Sequence, residues 1–168
     1  SAKLAGVPCR IVHSHNSRCE GGRLSNNMLV QKILRKLMGR WSTDKIACSD
    51  VAATWMFPVD DCPNVTILKN GIDTKRFQFN PLKREKIRKE LRVQNCFLIG
   101  HVGRFSKQKN HSFLIDIFYE IVKKDKTARL LLIGQGELKE EIHLKVQELG
   151  MEKQVIFLGV TDHVEDYL

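Results

Sequence analysis

The chain has 168 residues, a formal net charge of +9, and 42% hydrophobic against 28% charged side chains. That balance describes a globular protein with room for one domain or for parts of two, and it excludes a disordered or fibrous chain. No run of about 18 apolar residues occurs, which excludes a membrane-spanning helix.

Five cysteines, Cys9, Cys19, Cys48, Cys62 and Cys96, form no Cys-x-x-Cys pair. An odd, scattered set speaks against a disulfide scaffold or a zinc centre and for a reducing compartment, the cytoplasm.

In chain order, "CRIVHS" (9–14) and "KIACS" (45–49) read as short strands. Between them Val30, Ile33, Leu34, Leu37 and Met38 recur at helical spacing, with Lys32, Arg35, Lys36 and Arg40 expected to face outward. Residues 18–40 hold six cations opposed only by Glu20. A solvated helix face is the ordinary reading of such a run, and contact with an anionic membrane surface is the other. A short helix is expected after Ser49, then a strand in "NVTIL" (64–68). In "KNGID" (69–73) the Asn-Gly pair favours a hairpin, but no alternating strand follows it. A junction over 71–82 fits better, because Pro81 and the charge-rich helix "KREKIRKELR" (83–92) come next.

The second half is more regular. "FLIGHVG" (97–103), "RLLLIG" (129–134) and "VIFLG" (155–159) are continuous apolar runs, as expected of strands buried on both faces. Phe113, Leu114, Ile117, Phe118, Ile121 and Val122 mark a helix between the first two, with Asn110 placed to cap it. Leu138, Ile142, Val146 and Leu149 mark a second helix, with Gly150 as its stop. Thr161 or Asp162 is placed to begin a third. Strand, helix, strand, helix, strand implies right-handed crossovers and a parallel sheet.

The segment "GHVGRFSKQKNHSF" (100–113) gathers Arg104, Lys107, Lys109 and His111 where a strand meets a helix N-terminus. Free backbone N–H groups and the helix dipole already favour an anion there. Added cations point to a ligand with more than one negative charge. Gly134 and Gly136 flank Gln135 at the end of the next strand. Glycine permits close backbone approach to a ligand at that edge, although a plain strand-to-helix turn has the same pattern.

The ordered series "VHSHNS", "ACSD", "ILKNGID" with Phe77, "GHVGRFSKQKN", "LLLIGQGEL" and "VIFLG" resembles the retaining family-4, or group 1, glycosyltransferases of GT-B fold. The likeness is greatest to the subgroup that builds bacterial capsular and extracellular polysaccharides. It implies an α/β protein with portions of two doubly wound, Rossmann-like parallel-sheet domains. Residues 1–70 would be the tail of an N-terminal, acceptor-side domain and 71–82 an interdomain junction. Residues 83–168 would be the front half of a C-terminal nucleotide-sugar-binding domain. The family's paired glutamates are expected after Leu168 and its glycine-rich loop before Ser1. The chain is therefore expected to be part of a longer enzyme and inactive by itself.

The resemblance also implies a function: transfer of a hexosyl group, with retention, from a nucleoside-diphosphate sugar, a UDP-sugar, to a hydroxyl of a glycan or lipid-linked glycan in polysaccharide biosynthesis. Arg104 and Lys109, beside Gly103, would grip the donor diphosphate. The loop with Gly134 and Gly136 would lie near the nucleotide, and the backbone of Leu158, Gly159 and Val160 would line the base pocket. His15, with His13 beside it, would contact the donor sugar or polarise its leaving side, although a histidine at a strand end is also a common structural residue. Fixed cations in place of a metal imply no metal and no cofactor. Asn110 stands where relatives often have glycine. Two rival readings are a GT-B sugar-nucleotide epimerase and a non-enzymatic basic α/β anion-binding module. Neither basic stretch interleaves aromatics with its cations, so nucleic acid is not expected as a partner. The expected location is cytoplasmic, peripheral at the inner membrane face.

Overall fold

Apolar runs bounded by turn residues become the strands of two separate parallel sheets. The computed structural model describes residues 2–16, 28–57 and 64–167. They fall into two units, Ser1–Ile72 and Asp73–Leu168.

In the first unit β1 (Ile11–Ser14), β2 (Asp44–Ala47) and β3 (Thr66–Ile67) pair in parallel in that order. The register sets Ser14 beside Ala47 and Ala47 beside Ile67. Helix α1 (Met28–Trp41) joins β1 to β2, and α2 (Asp50–Met56) follows β2. Ser49 caps α2, its hydroxyl accepting from the Ala52 N–H at 3.2 Å. Among the described residues, the core cluster of this unit is Ala47, Ala52 and Ala53, with Cys48 and Val65 against them. Ser14 is buried, and its hydroxyl donates to the Ala52 carbonyl at 2.9 Å, fastening β1 to α2. Of "NVTIL", only Thr66 and Ile67 pair as a strand.

Helix α1 forms where its periodicity predicts, but one cation is turned the other way. Arg35, expected on the outer face, is half-buried against α2. Its guanidinium lies 4.9 Å from the centroid of the Trp55 ring and donates to the Trp55 carbonyl, while Nε donates to the Gln31 carbonyl. A ring face and a free carbonyl together satisfy a guanidinium better than either alone. Ile33 and Leu34, expected inward, are exposed.

In the second unit β4 (Leu98–Val102), β5 (Arg129–Ile133) and β6 (Val155–Gly159) form a parallel sheet in that order. Two helices cross between them, α4 (His111–Lys124) and α5 (Lys139–Glu148). Helix α3 (Pro81–Glu90) precedes the sheet, with Pro81 in its first turn and Asn80 as N-cap, accepting from the Lys83 N–H at 3.0 Å. The core joins Phe105, Ile115, Phe118, Leu130, Leu132, Ile142, Val146 and Met151. Lys145 straps α5 to α4, donating to the Ser112 hydroxyl at 2.9 Å and pairing with Asp116 at 2.6 Å.

Gly150 ends α5 as expected, with φ +65°. The Met151 N–H returns to the Val146 carbonyl at 3.0 Å. The helix expected from Thr161 or Asp162 is only a 3₁₀ turn at Val164–Asp166. The Thr161 hydroxyl accepts from the His163 N–H at 3.1 Å, closing a local turn before it. Among the described residues, no helix is long and apolar enough to cross a membrane.

Candidate functional site

The loops that leave β4, β5 and β6 are bonded edge to edge at the carboxyl end of the sheet. Gly103 N–H donates to Ile133 O at 2.9 Å, Phe105 N–H to Gln135 O at 3.2 Å, and Leu138 N–H to Phe105 O at 3.1 Å. Gly134 N–H donates to Gly159 O at 2.7 Å. Open α/β sheets bind ligands at this edge.

The two glycines of the middle loop are required by this packing. Gly134 has φ +143°, and a β-carbon there would lie 2.1 Å from Gly103 O. One at Gly136 would lie 2.5 Å from Phe105 O. The close backbone approach expected at these positions is made to residues 103–105.

Arg104 follows Gly103 directly and is largely exposed. Lys109 lies in a 3₁₀ turn, Lys107–Lys109, and its stem crosses Gly103: a β-carbon on that glycine would sit 3.2 Å from Lys109 Cδ. Gly103, Arg104 and Lys109 therefore share one loop surface. Lys107 is exposed beside them.

Asn110 does not cap α4 with its side chain, as the sequence suggested. It adopts φ +47°, ψ +47° and makes no capping bond. Its place is a left-handed joint between the 3₁₀ turn and α4. Asparagine and glycine tolerate that conformation better than other residues. Asn110→Gly should leave thermal stability nearly unchanged, while Asn110→Ala should cost about 1 kcal/mol. Equal melting temperatures for the two variants would refute this role.

His111 is not one of the gathered cations. It is 2% exposed and forms the floor of the loop. Its ring stacks on Phe105 at 4.2 Å and meets His101 edge-on at 4.7 Å. Burial pushes the pKa of His111 down, helped by His101 and Lys109, and burial followed by Lys109 does the same to His101. Among the described residues, neither ring nitrogen of His111 has a hydrogen-bond partner.

Glu137 was not singled out in the sequence. Its Oε2 accepts from both Arg104 Nε (3.2 Å) and Arg104 Nη2 (3.1 Å). The one sequence signal was an acid next to the glycine pair, in "GQGEL".

His13 and His15 lie in the first unit, exposed at the end of β1, with ring centroids 4.0 Å apart. The His15 carbonyl accepts from the Cys48 thiol at 3.5 Å. Elsewhere in the second unit, a cavity of about 620 Å³ lies over Leu98 and Leu131, bounded by Arg76, Lys83, Arg84 and Tyr167. It does not include Arg104 or Lys109, and two of its cations are already paired, Arg76 with Glu165 and Lys83 with Asp166.

Residues 83–168, the stretch that carries this loop, match the model of the family described as glycosyl transferases group 1. The chain belongs to that family. This bears out the resemblance drawn from the ordered motifs. The putative glycosyltransferase EpsF of Bacillus subtilis is 30% identical over 172 residues, covering all of this chain and 44% of its own length. The UDP-Gal:alpha-D-GlcNAc-diphosphoundecaprenol alpha-1,3-galactosyltransferase of Escherichia coli is 24% identical over 180 residues, again over the whole chain and 45% of its own length. The Anabaena protein Alr3699/HepE, crystallised with UDP-glucose, superposes with a TM-score of 0.81 at 22% identity, over 99% of this chain and 45% of its own. That likeness establishes a GT-B-type fold, as expected. This group 1 glycosyl transferase chain spans less than half the length of these three proteins.

Proposed function

We propose that this chain carries the donor-diphosphate grip of an enzyme that transfers a hexosyl group from a UDP-sugar to a glycan hydroxyl, with retention, in polysaccharide biosynthesis. The observation that carries the proposal is the shared surface of Gly103, Arg104 and Lys109 at the carboxyl edge of a parallel sheet. A leaving nucleoside diphosphate gains charge as the glycosidic bond breaks. A guanidinium fork and a compact ammonium stabilise that charge most in the transition state, and they do so without a metal ion or cofactor.

UDP as the carrier is supported by the UDP-glucose complex of the Anabaena protein and by the name of the Escherichia coli relative. The diphosphoundecaprenol in that name supports a lipid-linked acceptor. On this reading the Gly134 and Gly136 loop lies near the nucleotide, and His15 acts on the donor sugar.

Titration of the intact protein with UDP and GDP tests the reading. UDP should bind more tightly than GDP. Arg104→Ala should weaken UDP binding by roughly ten- to a hundredfold and Lys109→Ala by about tenfold, the range for losing a charge-assisted phosphate contact. His15→Ala should slow transfer while leaving UDP affinity intact. Binding that ignores the nucleoside, survives Arg104→Ala and falls only with salt would instead identify a general anion-binding module.

A further inference from the structure

The fork of Arg104 already holds an anion, and that anion belongs to the chain. Nε and Nη2, the edge a guanidinium presents to a phosphate, both donate to Glu137 Oε2 at 3.2 and 3.1 Å. Although both side chains are exposed, their backbones are fixed. The Arg104 loop is bonded to the next loop on either side of Arg104, through Gly103 N–H to Ile133 and Phe105 N–H to Gln135. Glu137 is bracketed by Leu138 N–H to Phe105 O and Lys139 N–H to Gly136 O. Glycines at 134 and 136 let these loops approach closely, so the carboxylate and the guanidinium are brought together by the backbone. The Glu137 carboxyl is held below its ordinary range first by its own backbone N–H and then by Arg104.

We infer that Glu137 is the internal counter-ion of Arg104, a carboxylate that the donor's diphosphate must displace before Arg104 can grip it. The inference rests on the diphosphate-binding reading of Arg104. A ligand with one negative charge gains from Arg104 no more than Glu137 already provides. A diphosphate carries more charge and presents more acceptor oxygens, so it wins the exchange. Glu137 thereby lowers affinity for every anion while favouring multiply charged ones.

The test is calorimetric titration of UDP into the intact protein and its E137Q, R104A and R104A/E137Q variants at low salt. The expected result is a two- to fivefold gain in UDP affinity for E137Q, the range for releasing one exposed ion pair, and no gain when Arg104 is also absent. Unchanged or weaker binding by E137Q, with R104A still impaired, would overturn the inference and leave the diphosphate reading standing. An equal gain in both backgrounds would also overturn it, since it would show only relief of general repulsion. Normal UDP binding by R104A would remove the underlying reading, and the inference with it.

Discussion

Gly134→Ala is expected to be the most damaging single-methyl change in the second unit, costing about 3 kcal/mol. Two effects combine. The residue sits at φ +143°, where L side chains are strained, and the added carbon would lie 2.1 Å from Gly103 O and 2.9 Å from Gly103 C. The obstacle is backbone, so no rotamer change relieves it. Separating the two loops would stretch the Gly103 to Ile133 and Gly134 to Gly159 hydrogen bonds, which hold the carboxyl edge of the sheet together. Gly150→Ala is the control. It also has positive φ, at +65°, but nothing lies within 4 Å of its would-be β-carbon. It should cost about 1 kcal/mol, the conformational part alone. Urea midpoints of the two variants separate strain from collision, and equal losses would contradict the loop contact described here.

Mild acid should loosen the same unit through two of its histidines. The folded-state pKa values of His101 and His111 lie below their ordinary 6.5, chiefly because of burial. As pH falls through 6.5, the unfolded chain takes up protons that the folded chain refuses. Stability is therefore full above about pH 7 and declines as pH falls, by at most about 1.4 kcal/mol per pH unit for each histidine, until the folded histidines also protonate. Asp125, Glu137 and Glu165 have depressed pKa values. Their contributions are present above their ordinary values and are lost as pH falls through them, so this loss begins at lower pH than that of the histidines. His111→Phe keeps a ring stacked on Phe105 and removes one titrating group along with its unpartnered nitrogens. Its stability between about pH 7.5 and 5 should fall less far than that of the unaltered protein. Parallel declines for the two proteins would show that His111 is not the group responsible.

Much of the fold is legible along the chain. "RLLLIG" and "VIFLG" declare themselves as strands because each is a short, unbroken apolar run between turn residues, but only the first is buried almost throughout; in the second Val155 is buried and the rest are half-buried. Ser49 and Gly150 mark helix ends because capping and left-handed termination involve only the adjoining residues. The placing of Arg104 and Lys109 on one loop is legible for the same reason: both lie in one strand-to-helix junction, whose turn geometry is local.

What escaped the sequence lies across gaps in it. Arg35 turns inward because Trp55, from the next helix, offers a carbonyl and a ring face. His111 is a buried, stacked ring because Phe105 and His101 close over it. Gly134 and Gly136 are glycines because the backbone of residues 103–105 passes against them, and Glu137 matters because that same passage delivers Arg104 to it. Periodicity and local turn chemistry record which side chains seek burial and where the chain bends. They carry no record of which distant carbonyl, ring or carboxylate will stand opposite, and that pairing is set only when α1 meets α2 in the first unit and β4, β5 and β6 are laid side by side in the second.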